Sequence, residues 1–336
     1  MTTDKPVRLI DVAQAAGVSV TTVSHALSGK GRIPEATRQR VLEQATAMRY
    51  RPNPAAQRLA GGRSRLLAIA VSLPGELPIP VTEVNYFNQA FHAATAQALE
   101  HNYALVICPP SQRGEIWARL SLDGLIVLDP VAGDPMLLEL RSRAVPLVLI
   151  GRDPTDGHLD YCVDNDHVAG TRAALDHLEE RGARRVALLA GDMGDAFTDD
   201  CIGAHRAWCE ERGIEPVAGL VPFGELADPA HAERLLAGPD RPDGVYANEE
   251  AIGVGIVAAA HRLGLRIPDD LMVVVAADGQ PAGAEVPLTA LELNPRRTAA
   301  EAVDLLIELV EGRSPDARLR LIPTRLVERA STRRVG

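Results

Sequence analysis

The sequence predicts a small all-α helix-turn-helix headpiece followed by an α/β core with two parallel sheets. Three observations support this fold class. Residues 10–28 have the pattern of two short helices joined by a tight turn. The first 65 residues are basic, whereas the rest of the chain is acidic. From Leu66 onward, apolar strand segments alternate with amphipathic helices.

The helix-turn-helix prediction depends on four residues in the first segment. Ala13 is small enough to let a second helix approach closely. Gly17 stands where the chain must turn, and glycine tolerates a positive φ. Ser19 precedes the second helix and can cap its free amides, while Val23 packs back between the helices.

The second helix would present polar and small side chains outward and keep its apolar face on the core. This is the geometry in which a second helix enters a DNA major groove. On its own, the segment is more typical of an ordinary helical hairpin. The outward-facing residues are Val20, Thr21, Ser24 and His25, and the inward-facing ones are Val23 and Ala26.

The charge distribution favours contact with nucleic acid. Residues 1–65 hold 11 Lys and Arg against 4 Asp and Glu, whereas the whole chain of 336 residues carries a net charge of −10. A basic head on an acidic body is expected when one small domain meets phosphates and the rest does not.

A third helix is predicted over residues 34–48. Pro34 suits a first helical position and Glu35 complements the positive end of the helix dipole. In the following segment, 51–62, Asn53 can cap and Pro54 can begin another helix of barely two turns. A helix this short is unstable in isolation, so the segment is either a linker or a helix that forms only on a surface.

The remaining chain alternates strands with helices, which indicates βαβ units and parallel sheets. The number of elements predicts two such sheets. Strands are expected at 66–71, 103–108, 124–128, 145–150, 186–189, 245–247 and 271–276, and helices at 88–100, 136–143, 167–181, 202–212 and 251–263.

Composition predicts a cytoplasmic protein without a membrane span. There is no apolar run near 18 residues, and the first residues lack the apolar stretch of a signal peptide. The four cysteines show no metal-ligand spacing and are interpreted as reduced. The acidic stretch from Asp164 to Asp166 is interpreted as a solvated loop, so neither a metal nor a cofactor is expected.

Several motifs together resemble the LacI/GalR family of bacterial transcription regulators. In the headpiece they are Leu9-Ile-Asp-Val-Ala, Ala16-Gly-Val-Ser, Thr22-Val-Ser, Tyr50-Arg-Pro-Asn-Pro-Ala-Ala and Leu59-Ala-Gly. In the core they include Asp123-Gly-Leu-Ile, Pro146-Leu-Val-Leu-Ile-Gly-Arg, Leu263-Gly-Leu-Arg-Ile-Pro-Asp-Asp and Pro287-Leu-Thr. The resemblance covers nearly the whole chain and overrides the plain helical hairpin.

The resemblance implies three regions: a headpiece (1–50), a hinge helix and linker (51–64), and a periplasmic-binding-protein-like core (65–336). The first core subdomain would comprise about 66–161 plus 293–318, and the second about 162–290 plus 320–331. Partners would be double-stranded operator DNA, a small effector in the cleft between the subdomains, and a second copy of the chain in a homodimer.

By the same resemblance, residues matching Val20, Thr21 and His25 read base edges, and those matching Thr22, Ser24 and Arg32 lie near the DNA backbone. Leu9 belongs to the same DNA-binding set. In the hinge, the residue matching Leu59 wedges between base steps of the minor groove, which kinks the duplex. Asn53 and Ala56 line that approach.

The effector pocket matches the family less well. Many sugar-responsive members have an arginine where Cys201 stands here, and the usual Asn-Asp pair aligns with Asn248-Glu249 or Glu249-Glu250. The candidate pocket residues are Asp278, Glu250, Arg152, Cys201 and Phe87. With an arginine lost and carboxylates kept, the ligand would be an amine-bearing or neutral molecule, or no ligand would bind.

Two other functions compete with a regulator. The chain has none of the glycine-rich phosphate-binding or nucleophile motifs of α/β enzymes, so it is not expected to be an enzyme. A periplasmic-type ligand-binding protein without DNA regulation is the alternative, which the basic headpiece disfavours. Within regulation, repression is the expectation, although activation is not distinguished by the sequence.

Overall fold

The computed structural model describes residues 7–28, 31–50, 63–73, 75, 80–108, 119–155 and 160–333. It divides into two compact units, Met1–Ser64 and Arg65–Gly336. Within the described residues, no helix combines the length and apolar character needed to cross a bilayer.

The described residues of the first unit form three helices: α1 (Leu9–Ala16), α2 (Val20–Ser28) and α3 (Glu35–Ala47). Gly17 ends α1 with φ of 65°, the left-handed conformation that the predicted turn requires. The Ser19 hydroxyl accepts a hydrogen bond from the Thr22 amide at 3.1 Å and so caps α2. Val12, Val23 and Val41, one from each helix, are fully buried in the small core that they share.

The second unit holds two six-stranded sheets. The first has the order β2-β1-β3-β4-β5-β11 and all its pairs are parallel. Its strands are β1 (Leu66–Val71), β2 (Ala104–Cys108), β3 (Gly124–Leu128), β4 (Leu147–Ile150), β5 (Tyr161–Asn165) and β11 (Leu319–Ile322).

The second sheet has the order β7-β6-β8-β9-β10-β12 and is parallel except where β12 runs antiparallel to β10. Its strands are β6 (Val186–Asp192), β7 (Val217–Pro222), β8 (Gly244–Ala247), β9 (Met272–Ala276), β10 (Thr289–Glu292) and β12 (Arg325–Val327). Its central strands β8 and β9 are buried along their whole length, as expected for parallel strands covered on both faces.

Seven helices in the described part of this unit cover the sheets: α4 (Asn85–Glu100), α5 (Pro135–Arg141), α6 (His167–Glu180), α7 (Ala196–Arg212), α8 (Pro229–Leu236), α9 (Glu250–Arg262) and α10 (Pro295–Val310). On the first sheet, α4 and α10 pack on one face and α5 on the other. On the second sheet, α8 and α9 cover one face, and α6 and α7 the other. Each sheet therefore has its own two-sided apolar core.

The chain crosses between the sheets three times: after β5, after β10 and after β11. The predicted subdomain boundaries at 161/162 and 318/320 were wrong, because β5 and β11 both belong to the first sheet. The two strands pair with each other, with Cys162 opposite Leu319. A pairing between segments this far apart in sequence leaves no local pattern, and the polar ends of β5 resemble a loop.

Candidate nucleic-acid interface and ligand cleft

The second headpiece helix exposes most of the predicted DNA-reading residues. Val20 is 41% exposed, although it is apolar, and Thr21 and His25 are also exposed. Thr22 and Ser24 are half-buried beside them. An exposed face with a valine, a threonine and a histidine offers both apolar contact to a thymine methyl and hydrogen bonds to base edges.

The other predicted DNA contacts lie around this helix or outside the described residues. Arg32 is exposed in the loop after α2, where a Cβ on Gly31 would come within 3.0 Å of His25 Nδ1. Leu9 is half-buried and packs on the headpiece core. The hinge residues Asn53, Ala56 and Leu59 lie outside the described residues.

The core contains a cleft of about 570 Å³ between its two sheets. Its lining comes mainly from segments that follow the carboxyl ends of strands: Asp129 after β3, Arg152 after β4, Asp195 after β6, Glu249 after β8 and Asp278 after β9. Parallel sheets place ligand sites at this edge. The volume suits a small organic ligand.

Aromatic side chains are concentrated in the cleft. The whole chain has four Phe, five Tyr and two Trp, and the cleft lining includes Tyr86, Phe87, Phe197 and Phe223. Three of the four phenylalanines therefore line this single cavity. Tyr86 and Phe87 meet edge to face, with ring centroids 5.5 Å apart.

Carboxyl groups face the same space, and burial raises the pKa of several of them. Burial and the nearby charges of Asp195, Asp129 and Glu250 raise the pKa of Glu249 to about 8. Burial also raises the pKa of Asp278 to about 6. For Asp129, burial and the charges of Asp195 and Asp164 raise the pKa well above its ordinary value.

Asp195 combines a structural and an electrostatic role. Its Oδ1 accepts a hydrogen bond from the Thr198 amide at 2.8 Å and caps α7. Burial nevertheless raises the pKa of its carboxyl above the ordinary value. The cleft thus contains carboxyl groups that retain protons more readily than free aspartate or glutamate.

Arg152 links the two halves of the cleft. Its guanidinium donates to Asp164 Oδ2 at 2.7 Å and also to Asp200 on α7. Asp164 further pairs with His167, with Oδ1 and Nε2 2.9 Å apart. Burial alone would raise the pKa of Asp164, but His167 and Arg152 together lower it below its ordinary value. The interpretation of 164–166 as a solvated loop was wrong, since Asp164 and Asn165 are buried at the end of β5.

Four of the five predicted pocket residues line the cleft, namely Phe87, Arg152, Glu250 and Asp278. Cys201 does not, and that prediction was wrong. Its side chain is fully buried, and its Sγ accepts a hydrogen bond from Thr171 Oγ1 at 3.3 Å. Burial raises the pKa of the Cys201 thiol to about 12. The residues of α7 that line the cleft are Ala196 and Phe197, about one turn earlier.

Sequence reasoning missed Asp129 and Asp195 and left Glu249 within an undecided register. The structure places Asn248, Glu249 and Glu250 all in the cleft lining. A position directly after a predicted strand was the available signal for Asp129. For Asp195 the signal was its place just before a helix.

An all-α headpiece with an exposed second helix, joined to a two-sheet core with a ligand cleft, defines a ligand-responsive DNA-binding regulator. Residues 8–53 match the lacI family of bacterial regulatory proteins, and residues 175–332 match a periplasmic binding protein-like domain. The chain belongs to the LacI family of transcriptional regulators, with a DNA-binding headpiece and an effector-binding core. Because this family consists of regulators, the chain is not an enzyme.

Similar proteins span nearly the whole chain. The regulator MalR of Staphylococcus xylosus is 27% identical, over 97% of this chain and 98% of the relative. AglR of Rhizobium meliloti (strain 1021) is 29% identical over 97% and 94%, respectively. The transcriptional repressor PurR of Vibrio vulnificus (strain CMCP6) is 25% identical over 97% and 98%.

Solved structures confirm the fold class. The Lac repressor dimer bound to operator and the anti-inducer ONPF superposes with a TM-score of 0.78 at 25% identity, covering 98% of this chain and 99% of that one. The complex of the regulator CelR with cellobiose gives a TM-score of 0.71 at 23% identity, over 97% and 99%. The prediction of a headpiece followed by two parallel-sheet subdomains is confirmed.

Proposed function

We propose that this regulator binds a near-palindromic operator as a homodimer and represses transcription there, with its affinity modulated by a small molecule in the core cleft. The observation that carries the proposal is the pairing of an exposed second helix with a separate 570 Å³ cleft in one chain. The Lac repressor, a structural relative, is a dimer bound to operator. Two recognition helices related by a two-fold axis match the two halves of a palindrome.

Contacts on the DNA divide by role. Val20, Thr21 and His25 are assigned to base edges, because they are the exposed residues at the start and outer face of α2. His25 can donate to guanine, and Val20 can meet a thymine methyl. Thr22, Ser24 and Arg32 are assigned to the backbone, where contacts position a protein without specifying sequence.

The remaining assignments concern α1 and the hinge. Leu9 completes the DNA-binding set at the start of α1. Leu59 is assigned to the minor groove at the operator centre, flanked by Asn53 and Ala56. A side chain wedged between base steps costs a few kcal/mol of unstacking, which the added contacts of the bent DNA offset.

A selection from a random double-stranded DNA pool tests the proposal. We expect the full chain to enrich a palindrome with a flexible central step, and a chain lacking residues 1–62 to enrich nothing. The double variant Val20→Ala, His25→Ala should relax the sequence at the outer positions while keeping salt-sensitive binding. Enrichment by the truncated chain would contradict the assignment of DNA binding to the headpiece. Ligand binding by a full chain that selects no DNA, with or without cell metabolites, would favour the ligand-binding alternative.

A further inference from the structure

The cleft lining is strongly biased toward negative charge. Its ionisable cationic side chains, within the described residues, are only Arg152 and His167. Both are already paired with Asp164, and Arg152 also with Asp200. The carboxyl groups of the lining are Glu83, Asp129, Asp164, Asp195, Glu249, Glu250 and Asp278.

Among the lining carboxyl groups without a partner in the described part of the chain, Asp129 and Glu249 are the two whose pKa is raised by burial. Neither Asp129 nor Glu249 accepts a hydrogen bond through its side chain or pairs with a cation there. They belong to different sheets, since Asp129 follows β3 of the first and Glu249 follows β8 of the second. Both are half-buried at the cleft surface, so their carboxyl groups are acceptors that a ligand in the cleft can reach.

His167 adds an independent sign of a missing ligand group. It is 7% exposed and lines the cleft, and its Nδ1 has no hydrogen-bond partner in the described residues. Because Nε2 pairs with Asp164, Nδ1 is the ring nitrogen left for a ligand. Among the buried side-chain atoms of the described lining, the one donor without a hydrogen-bond partner besides the His167 ring is Asn248 Nδ2.

The aromatic side chains of the cleft favour a ligand with an apolar body. Tyr86, Phe87, Phe197 and Phe223 provide ring faces and edges in the same cavity as the carboxyl groups. Aromatic rings attract cations through their quadrupole and bury apolar carbon well. An organic molecule with a cationic head and an apolar body fits both features.

We propose that the effector of this cleft is an organic cation, a primary ammonium on an apolar or aromatic body, held between the carboxylates of Asp129 and Glu249. The inference rests on the proposed function only in that this cleft is taken as the effector site. An ammonium group has three donors and no acceptor, which matches an acceptor-rich lining.

Two other ligand classes fit less well. A saccharide hydroxyl both donates and accepts, and Arg152, the donor suited to such oxygens, is held by two carboxylates. A bare metal ion needs converging ligand atoms. In the described residues only Glu225, Asp228 and His231 bring three such atoms within 4.8 Å of one another, and none of these three residues lines the cleft.

Calorimetric titration of the full chain without DNA tests the proposal, so that a failure of operator binding cannot affect the result. The probes are two amine–alcohol pairs, 2-phenylethylamine with 2-phenylethanol and 1-hexylamine with 1-hexanol, together with maltose. At about pH 8 we expect at least one amine to bind at least about tenfold tighter than its alcohol. Equal affinity within both pairs, or binding of maltose alone, would overturn the proposal.

A variant and a control locate the cation. Glu249→Gln should lower amine affinity by about tenfold or more and leave the affinity for the alcohol unchanged. Glu210→Gln, an exposed carboxylate on α7 outside the cleft lining, should change neither. Unchanged amine affinity in the Glu249 variant would exclude this carboxyl group as the binding partner.

Proton release gives a second readout that mere structural damage would not produce. The charged and titratable groups that interact with Glu249 or share its cleft are Asp129, Asp195, Glu250, Tyr86, Tyr246, Glu83, Asp278, Asp164, Arg152 and His167. Because an ammonium binds the ionised carboxylate, its affinity should rise between about pH 6 and about pH 8. Titrations near neutral pH in buffers of different ionisation enthalpy should show about one proton released per amine bound, and a value of zero would contradict the pairing.

Discussion

Replacing Glu249 by Gln should stabilise the free chain at alkaline pH and leave its stability unchanged in acid. The structure gives this carboxyl group a pKa of about 8, whereas its ordinary value is 4.5. Between these two pH values the folded chain retains a proton that the unfolded chain has lost. The free energy of unfolding therefore falls as pH rises through this window, because ionising Glu249 is harder in the fold.

The size of the effect follows from the two pKa values. A difference from 4.5 to about 8 corresponds to about 5 kcal/mol once Glu249 is fully ionised in the fold. We expect roughly half of this, about 2.5 kcal/mol, because Glu249 is partly exposed to the cleft and titrates together with Asp129 and Asp195. Glutamine has nearly the same shape and cannot ionise, so the variant avoids this loss.

Thermal unfolding at about pH 5 and about pH 9 checks the prediction, with protein concentration held fixed because a dimer would unfold in a concentration-dependent way. For a chain of this size about 2.5 kcal/mol raises Tm by about 5 °C. The variant should melt higher than the wild type at about pH 9, and together with it at about pH 5. Glu210→Gln, on an exposed helix face, should track the wild type at both. A Glu249 variant that is less stable than the wild type at alkaline pH would refute the assignment of a raised pKa.

Three further substitutions probe the headpiece, the core and the hinge. Ser19→Ala removes the cap of α2 and should lower the free energy of local opening, seen as hydrogen exchange of the headpiece amides, by about 1 kcal/mol. Gly253→Ala places a Cβ 2.7 Å from Val275 Cγ2 and should lower the free energy of unfolding by about 1–3 kcal/mol in denaturant titrations. Gly203→Ala, with open space around its Cβ, should not change it. Leu59→Gly should nearly abolish specific operator binding and leave weak, salt-sensitive binding in titrations at two salt concentrations; unchanged operator affinity would contradict the hinge assignment.

The headpiece was predictable from sequence because its determinants are local. Gly17, Ser19 and Val23 lie within seven residues, and each acts on its immediate neighbours through a turn, a cap or a helix face. The third helix was predicted within a residue at each end for the same reason. Most core strands were also found, since a run of buried apolar residues is itself a local signal.

The strands and helices that were missed lack such a signal. β7 alternates half-buried and exposed positions at the edge of the second sheet, and β11 is largely exposed at the edge of the first. β7 pairs with β6, and β11 pairs with β5 far earlier in the chain. Neither pairing can be recognised from the residues of the edge strand itself. Helix α10 begins at Pro295 and packs on α4 about 200 residues earlier in the chain, and that contact is set by the tertiary fold.

The cleft shows the same limit in its electrostatics. Asp129, Asp195 and Glu249 are separated by tens of residues, and the largest cause of each raised pKa is burial, which the neighbouring residues in sequence do not reveal. Only the fold buries them together and lets each charge raise the pKa of its neighbours. Cys201 failed as a pocket residue because one helical turn decides whether a side chain of α7 meets the cleft or the sheet.

The placement of these carboxyl groups also connects ligand charge with subdomain closure. A ligand shifts a conformational equilibrium only by binding one state better than the other. Asp129 is carried by one sheet and Glu249 by the other, so closing the cleft without a cation brings two acidic groups together, and they repel or retain protons. A cation bound between them would favour the closed form, because its charge attracts both carboxylates. A neutral ligand of the same shape gains apolar contact but no such attraction, so in this chain the charge of the ligand would supply both its recognition and the preference for the closed form.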